Sequence, residues 1–314
     1  MTPSTARLPV AADPLAPVRS AARPGPGPLS VPSLRALELV VARRVDGLLA
    51  GEYRSPFAGI GSELWQVRPY APGDDVRRIE WNVTARTGEP HVRVELAERV
   101  LVTWLVLDTS ASMAFGTADR RKADVAEGVA VAVGYAATRR GNRLGTVAFG
   151  ERSTVEPPRQ GRRALLDTLQ LLRTLPTGGG GRLVDALELA DRVIRQRALV
   201  VLVSDFRGPL DWQPPLLRLA GRHTVLAVEV RDPREQELAD VGELRLVDPE
   251  TGRQLRVDTH DRELRLRFAE AAAEERRALV TLLARAGARH VALSTEGDWL
   301  RPLASLLRRR ERMR

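Results

Sequence analysis

Two apolar rhythms alternate along the chain from residue 100 onward. Unbroken hydrophobic runs of strand length, at 100–107 with only Thr103 interrupting and at 198–203, stand apart from stretches whose apolar residues recur every three or four positions. The first kind suits strands covered on both faces, and the second suits amphipathic helices. The pattern predicts strands at 101–107, 144–149, 199–203 and 224–230, with helices near 121–139, 162–172, 183–195 and 216–220 between them. A hairpin over 243–247 and 254–257 turns through Pro249, Glu250, Thr251 and Gly252. A long helix at 263–286, a last strand at 291–293 and a helix running into Arg308, Arg309 and Arg310 close the chain. Strands alternating with helices imply an α/β fold, a Rossmann-like and mostly parallel sheet with helices on both faces.

Before residue 100 the pattern is different. Ser33 caps a stretch that carries Leu37, Val40, Val41, Val45 and Leu48 and ends at Gly51, which reads as a helix. From 52 to 98 the signals are turns and short strands, clearest where Val92, Val94 and Leu96 alternate with Arg93, Glu95 and Ala97. Four regions are expected: a disordered Pro/Gly-rich leader over 1–32, a helix and β-rich module over 33–98, the α/β domain over 99–300 and a basic C-terminal tail over 301–314.

Composition removes several function classes. Without a single cysteine in 314 residues, disulfide scaffolds, thiolate metal sites and cysteine nucleophiles are excluded. No apolar run approaches the roughly 20 residues a helix needs to cross a bilayer, so the chain is expected to be cytoplasmic with no transmembrane segment. The net charge of +9 invites an electrostatic reading, binding to nucleic acid or an anionic surface. That charge sits at the ends, +2 over 1–32 and +5 over 301–314, leaving +2 for everything between. Aromatic residues are only 4% of the chain, few for stacking bases, and no nucleic-acid motif is present, so no specific nucleic acid is expected. Lys122 is the only lysine, a one-sidedness that reads as codon bias toward arginine.

The stretch richest in chemistry is Leu105-Val106-Leu107-Asp108-Thr109-Ser110-Ala111-Ser112-Met113. A buried strand that runs into Asp-x-Ser-x-Ser places a carboxylate and two hydroxyls at the carboxyl end of the strand, where open α/β sheets form their ligand crevice. All three offer oxygen, the donor that hard cations such as Mg²⁺ prefer. Val203-Ser204-Asp205 repeats the arrangement at a second strand end. If the two strands are close, Asp108 and Asp205 face one cavity and repel unless a cation or proton lies between them. The plainer alternative is that such residues serve only as turn formers and helix caps.

Asp108, Ser110 and Ser112, with Asp205 on a later strand, resemble the metal-ion-dependent adhesion site of type A von Willebrand factor domains. Upstream, the run from Arg68 to Trp81, containing Tyr70, Gly73, Asp74, Asp75 and Arg77, followed by Thr84-Ala85-Arg86, is very similar to the signature of the bacterial domain of unknown function 58 family. The resemblance implies a von Willebrand factor A-like domain that recognises another protein. Ser110 and Ser112 would ligate Mg²⁺ or Mn²⁺ directly, Asp108 and Asp205 would bind the ion or hold its waters, and an acidic side chain of the partner would complete the shell. It also implies an adaptor working with a MoxR-type AAA+ ATPase. Many relatives carry two transmembrane helices before this region, where this chain has its Pro/Gly leader. The adhesion site usually takes a threonine from an intervening loop, and the run Gly178-Gly179-Gly180-Gly181 sets Gly181 at that place with Thr177 offset. Water could stand in for the missing hydroxyl.

Pro72 to Asp75 reads as a turn and an acidic cap, with Arg77 and Arg78 available to pair with Asp74 and Asp75, either as an internal brace or as a docking surface. Enzymatic readings are weaker, and the chain is expected not to be an enzyme. His91, His223, His260 and His290 are scattered without ligand spacing, and no serine sits in a Gly-x-Ser-x-Gly motif. The glycine run lacks the Lys-Ser/Thr of a phosphate-binding loop and reads as a flexible loop. Mg-dependent phosphoryl transfer or hydrolysis through Asp108 is a third reading, set back because Ser110 stands where that chemistry usually has a second acid.

Overall fold

The computed structural model describes residues 63–308 apart from 73, 97–101, 139–140, 176–178 and 249–250. The expected leader over 1–32, the expected helix over 33–51 and the last residues of the arginine-rich end, 309–314, lie outside the described residues.

A small N-terminal unit comes first. Strand β1 (Glu63–Pro69) pairs antiparallel with β2 (His91–Leu96), and helix α1 (Trp81–Thr87) lies between them in the chain. Asp75 starts a 3₁₀ turn at Val76–Arg78, its carboxylate accepting the Arg77 backbone N–H at 3.0 Å. Helix α1 ends on Gly88, whose φ of 76° closes the turn at no steric cost.

From β3 (Val102–Asp108) the chain alternates as expected through α2 (Lys122–Thr138), β4 (Arg143–Phe149), β5 (Thr154–Gln160), α3 (Arg162–Thr174), α4 (Leu183–Val193), β6 (Leu199–Ser204), α5 (Gln213–Arg222) and β7 (Thr224–Arg231). The hairpin β8 (Glu243–Val247) and β9 (Gln254–Asp258), helix α6 (Arg262–Arg285), β10 (Arg289–Ser294) and α7 (Leu300–Arg308) follow. Six strands form one sheet in the order β10-β7-β6-β3-β4-β5, every pairing parallel except β4 with β5. The fold class is the expected one.

The continuous apolar runs have a simple cause. Leu105, Leu107, Val201 and Val203 point into a core completed by α2, α3 and α7, while Trp104, Val106, Val200 and Leu202 point into a second core under α4, α5 and α6. A strand packed on both faces cannot alternate apolar with polar. Because β3 and β6 are parallel neighbours in register, Leu107 opposite Val203, their carboxyl ends arrive together at one edge.

Three elements depart from expectation. Strand β5 went unforeseen because Pro157 and Pro158 argue against a strand, and the chain tolerates them only because β5 is an edge. Helix α5 starts earlier than its apolar pattern does, since Pro214 and Pro215 occupy a first turn whose N–H groups need no partner. The helix expected before Arg308 is present as α7, and it belongs to the folded part although the basic tail was drawn from residue 301. Helix α7 buries Leu300, Leu303 and Ala304 against the sheet, an apolar stripe hidden among arginines.

Next to the edge strand β10, Glu229 accepts hydrogen bonds from Arg231 and, at 2.7 Å, shares one with His290. Burial would raise this carboxyl, but the His290 and Arg231 contacts outweigh it and hold it below the ordinary glutamate range. A depressed carboxyl stabilises the fold above its unfolded value, 4.5, and that contribution disappears as pH falls through the lower folded value. Melting curves should therefore show stability lost on acidification below about pH 4.5. Glu229→Gln should remove that component, and a pH profile parallel to the unmodified protein would refute the assignment.

Candidate metal centre

Strand β3 delivers Asp108 to the carboxyl edge of the sheet, and the next turn folds back onto it. One oxygen of Asp108 accepts the Ser110 backbone N–H at 2.9 Å, and the other accepts the Ser204 hydroxyl from the end of β6 at 2.6 Å. Ser110 opens a 3₁₀ turn at Ala111–Ala114, which brings its Oγ to 3.1 Å from the Oγ of Ser112. Thr109 fastens the loop to the neighbouring strand, its N–H and hydroxyl both donating to the Phe149 carbonyl at 2.7 and 2.9 Å. On β6 the Ser204 Oγ also accepts the Phe206 N–H at 3.0 Å. Phe206 is the one described non-glycine residue with positive φ, 55°, held there by edge-on packing against Trp212. Such a backbone costs roughly 1–2 kcal/mol. Here it follows directly on Asp205, whose Oδ1 accepts the Arg207 N–H at 3.1 Å.

Asp108, Ser110, Ser112 and Asp205 are thus buried together, as the sequence pattern anticipated. Sequence reasoning missed the cation among them. Lys122, the first residue of α2, is fully buried, with Nζ 2.6 Å from Asp205 Oδ2 and 2.7 Å from Glu235 Oε1, and the Phe115 ring lies 5.8 Å away. Glu235 belongs to a 3₁₀ turn, Pro233–Glu235, capped by Asp232, and Asp232 in turn binds the Thr117 and Thr295 hydroxyls. The only signal in the sequence was that Lys122 is the sole lysine.

The electrostatics follow from one ammonium shared by Asp205 and Glu235, with Asp108 next to Asp205. Burial and the Asp205 charge push the Asp108 carboxyl up to about 7, against its hydrogen bonds to serine. Burial would also raise Asp205, but the Lys122 charge and hydrogen bond, helped by Ser112, hold it low. For Lys122, burial works against the charged form, while Asp205 and Glu235 outweigh it and raise the ammonium above its ordinary value.

The glycine loop does reach this site, with the Gly179 carbonyl accepting the Ala111 N–H at 3.4 Å. Thr177 and Gly178 lie outside the described residues. The absence of a threonine at 181 has a steric reason. A Cβ there would stand 2.2 Å from the Gly150 carbonyl oxygen, and Gly150 itself is pressed against Thr109. The donor set that remains, two hydroxyls with two carboxylates behind them, is all oxygen and fits a hard divalent ion in chemistry.

The upstream motif behaves differently. Asp74 is paired bidentately with Arg68 at 2.7 Å rather than with Arg77 or Arg78, because the turn carries it back over β1. Asp75 meets Arg77 only through the backbone. The Tyr70 N–H is tied to the Pro90 carbonyl, whereas Arg77, Arg86 and Trp81 are exposed, the last at 70%. Gly73 lies outside the described residues. The four histidines are dispersed. His91 contacts Thr87, His260 contacts Asp240 and His290 contacts Glu229, while His223 is buried with both ring nitrogens unpartnered.

Residues 66–278 match the family described as Protein of unknown function DUF58. An uncharacterized protein of Mycobacterium tuberculosis is 43% identical over 284 residues, covering 89% of each chain. A second uncharacterized protein, from Mycobacterium avium, is 40% identical over 159 residues, which are 50% of this chain and 94% of its own. Among solved structures, the conserved hypothetical protein BatB from Bacteroides thetaiotaomicron aligns with a TM-score of 0.40 at 10% identity, over 66% of this chain and 97% of that one. A von Willebrand factor type A structure from Catenulispora acidiphila aligns with a TM-score of 0.35 at 19% identity, over 43% of this chain and 34% of that one.

Restoring the threonine should fail. Gly181→Thr forces a side chain into the Gly150 backbone, so it should cost about 1–3 kcal/mol of stability and leave cation affinity no tighter. A variant of unchanged melting temperature that binds Mg²⁺ more tightly would refute the steric reading.

Proposed function

The chain belongs to the DUF58 family, and from that premise we propose that it is a non-enzymatic module that binds an acidic side chain of a protein partner through a divalent cation. Ser110 and Ser112 would hold Mg²⁺ or Mn²⁺, with Asp108 and Asp205 ligating or fixing its waters. The bound ion would supply an open, positively charged position for a carboxylate. The observation that carries this reading is the pair of buried hydroxyls 3.1 Å apart beside carboxylates from two adjacent strand ends. Beside the cluster lies a cavity of about 400 Å³ whose lining includes Arg207, Glu235, Glu274 and Glu275 but none of Asp108, Ser110, Ser112 and Asp205. The partner class implied by the family resemblance is a MoxR-type AAA+ ATPase, with this chain as its adaptor.

Calorimetric titration tests the metal. Mg²⁺ or Mn²⁺ should release or absorb heat with the unmodified protein and lose it with Ser110→Ala and Asp108→Ala, while Ser110→Ala keeps its melting temperature. No heat, or equal heat in all three, removes the metal site. Affinity capture tests the partner: a tagged chain should recover the ATPase with Mg²⁺ present and lose it in EDTA. Recovery that ignores EDTA, or recovery of no ATPase, counts against the adaptor mechanism.

A further inference from the structure

The composition contains an internal control. Of 49 cationic residues, 48 are arginine and one is lysine. A chain so biased toward arginine keeps a lysine only where a guanidinium does not serve, and that place is the candidate metal centre. The two heads differ in kind: an ammonium is a compact point charge with three donors, whereas a guanidinium is a flat fork with five. At Lys122 the geometry asks for the first. Its Nζ sits between Asp205 Oδ2 and Glu235 Oε1 at 2.6 and 2.7 Å in a fully buried position, with the Phe115 ring to one side. The wider, planar head of arginine would need space that those two carboxylates and the ring already fill.

Both oxygens of Asp205 are engaged once this pair is made, since the other accepts the Arg207 N–H and the Ser112 hydroxyl also bonds the carboxylate. A divalent ion that draws on Asp205 must share the carboxylate with a fixed positive charge a few ångströms away, and like charges at that range in a buried site repel strongly. We propose that Lys122 is a resident cation of the centre: its ammonium holds Asp205 when no metal is bound and sets a low affinity for the ion that binds beside it. This rests on the metal reading above. Glu235 gives the ammonium a second anchor when an ion competes for Asp205, and through the Asp232-capped turn it links the lysine to the floor of the neighbouring cavity. Lys122 is therefore a positioning and affinity-setting residue, not a ligand.

Two measurements on the full chain test it. In calorimetric titrations with Mn²⁺ and Mg²⁺, Lys122→Met should bind at least tenfold more tightly than the unmodified protein. Binding in both proteins with equal or weaker affinity in the variant overturns the lysine proposal and leaves the metal reading standing. Binding in the variant alone supports the lysine proposal and overturns the metal reading for the natural protein, and binding in neither overturns both. If Lys122→Met does not fold, the natural protein decides, because lysine-selective ¹³C labelling yields a single Cε resonance. That resonance should move in step with Mg²⁺ saturation, a response a purely structural salt bridge would not give. A signal that stays fixed at saturating Mg²⁺ overturns the proposal.

Discussion

Everything at the carboxyl edge of the sheet depends on one buried ammonium. Parallel strands deposit their ends on the same side, so β3 and β6 bring Asp108 and Asp205 together whatever those residues do. Two carboxylates in a water-poor crevice repel; the Asp108 carboxyl is pushed up to about 7, and Asp205 stays low only because it has a counter-charge. Lys122 supplies that charge from the first turn of α2, and Glu235 steadies it from the far side. Breaking such a pair by removing one partner is costly because the remaining charge is stranded. The arrangement is thus a constraint on the fold as much as a feature of the site.

The surroundings show the same economy of space. Gly150 and Gly181 let two backbones approach so closely that no side chain fits between them, and this removes the hydroxyl expected from the loop. The Ser204 hydroxyl serves two partners at once, donating to the Asp108 carboxylate and accepting from the Phe206 N–H, so that the left-handed backbone after Asp205 is held by a hydrogen bond on one side and by Trp212 on the other. A centre built this way has its carboxylates already oriented.

The upstream motif contributes in another manner. Its acidic residues are consumed locally, Asp74 by Arg68 and Asp75 by the turn it caps, which accounts for its bracing character. Its basic and aromatic members, Arg77, Arg86 and Trp81, face solvent. The sequence left brace and docking surface as alternatives for the whole segment; the structure shows its acidic residues bracing the turn and its basic and aromatic residues exposed.

The element order apart from the edge strand β5, the two-sided burial of the sheet and the placement of Asp108, Ser110, Ser112 and Asp205 at or just beyond strand ends are all legible in the sequence. Those features are local: periodicity reports how each element is buried, and a turn such as Asp-x-Ser-x-Ser closes on itself within a few residues. Packing alone sets β3 beside β6, brings Lys122 to Asp205 across 83 positions and to Glu235 across 113, and leaves Gly181 no room for threonine. Strand order sets which distant charges meet, and hydrophobic periodicity carries no record of strand order. The lone lysine was visible from the start, but its meaning required knowing which carboxylates surround it.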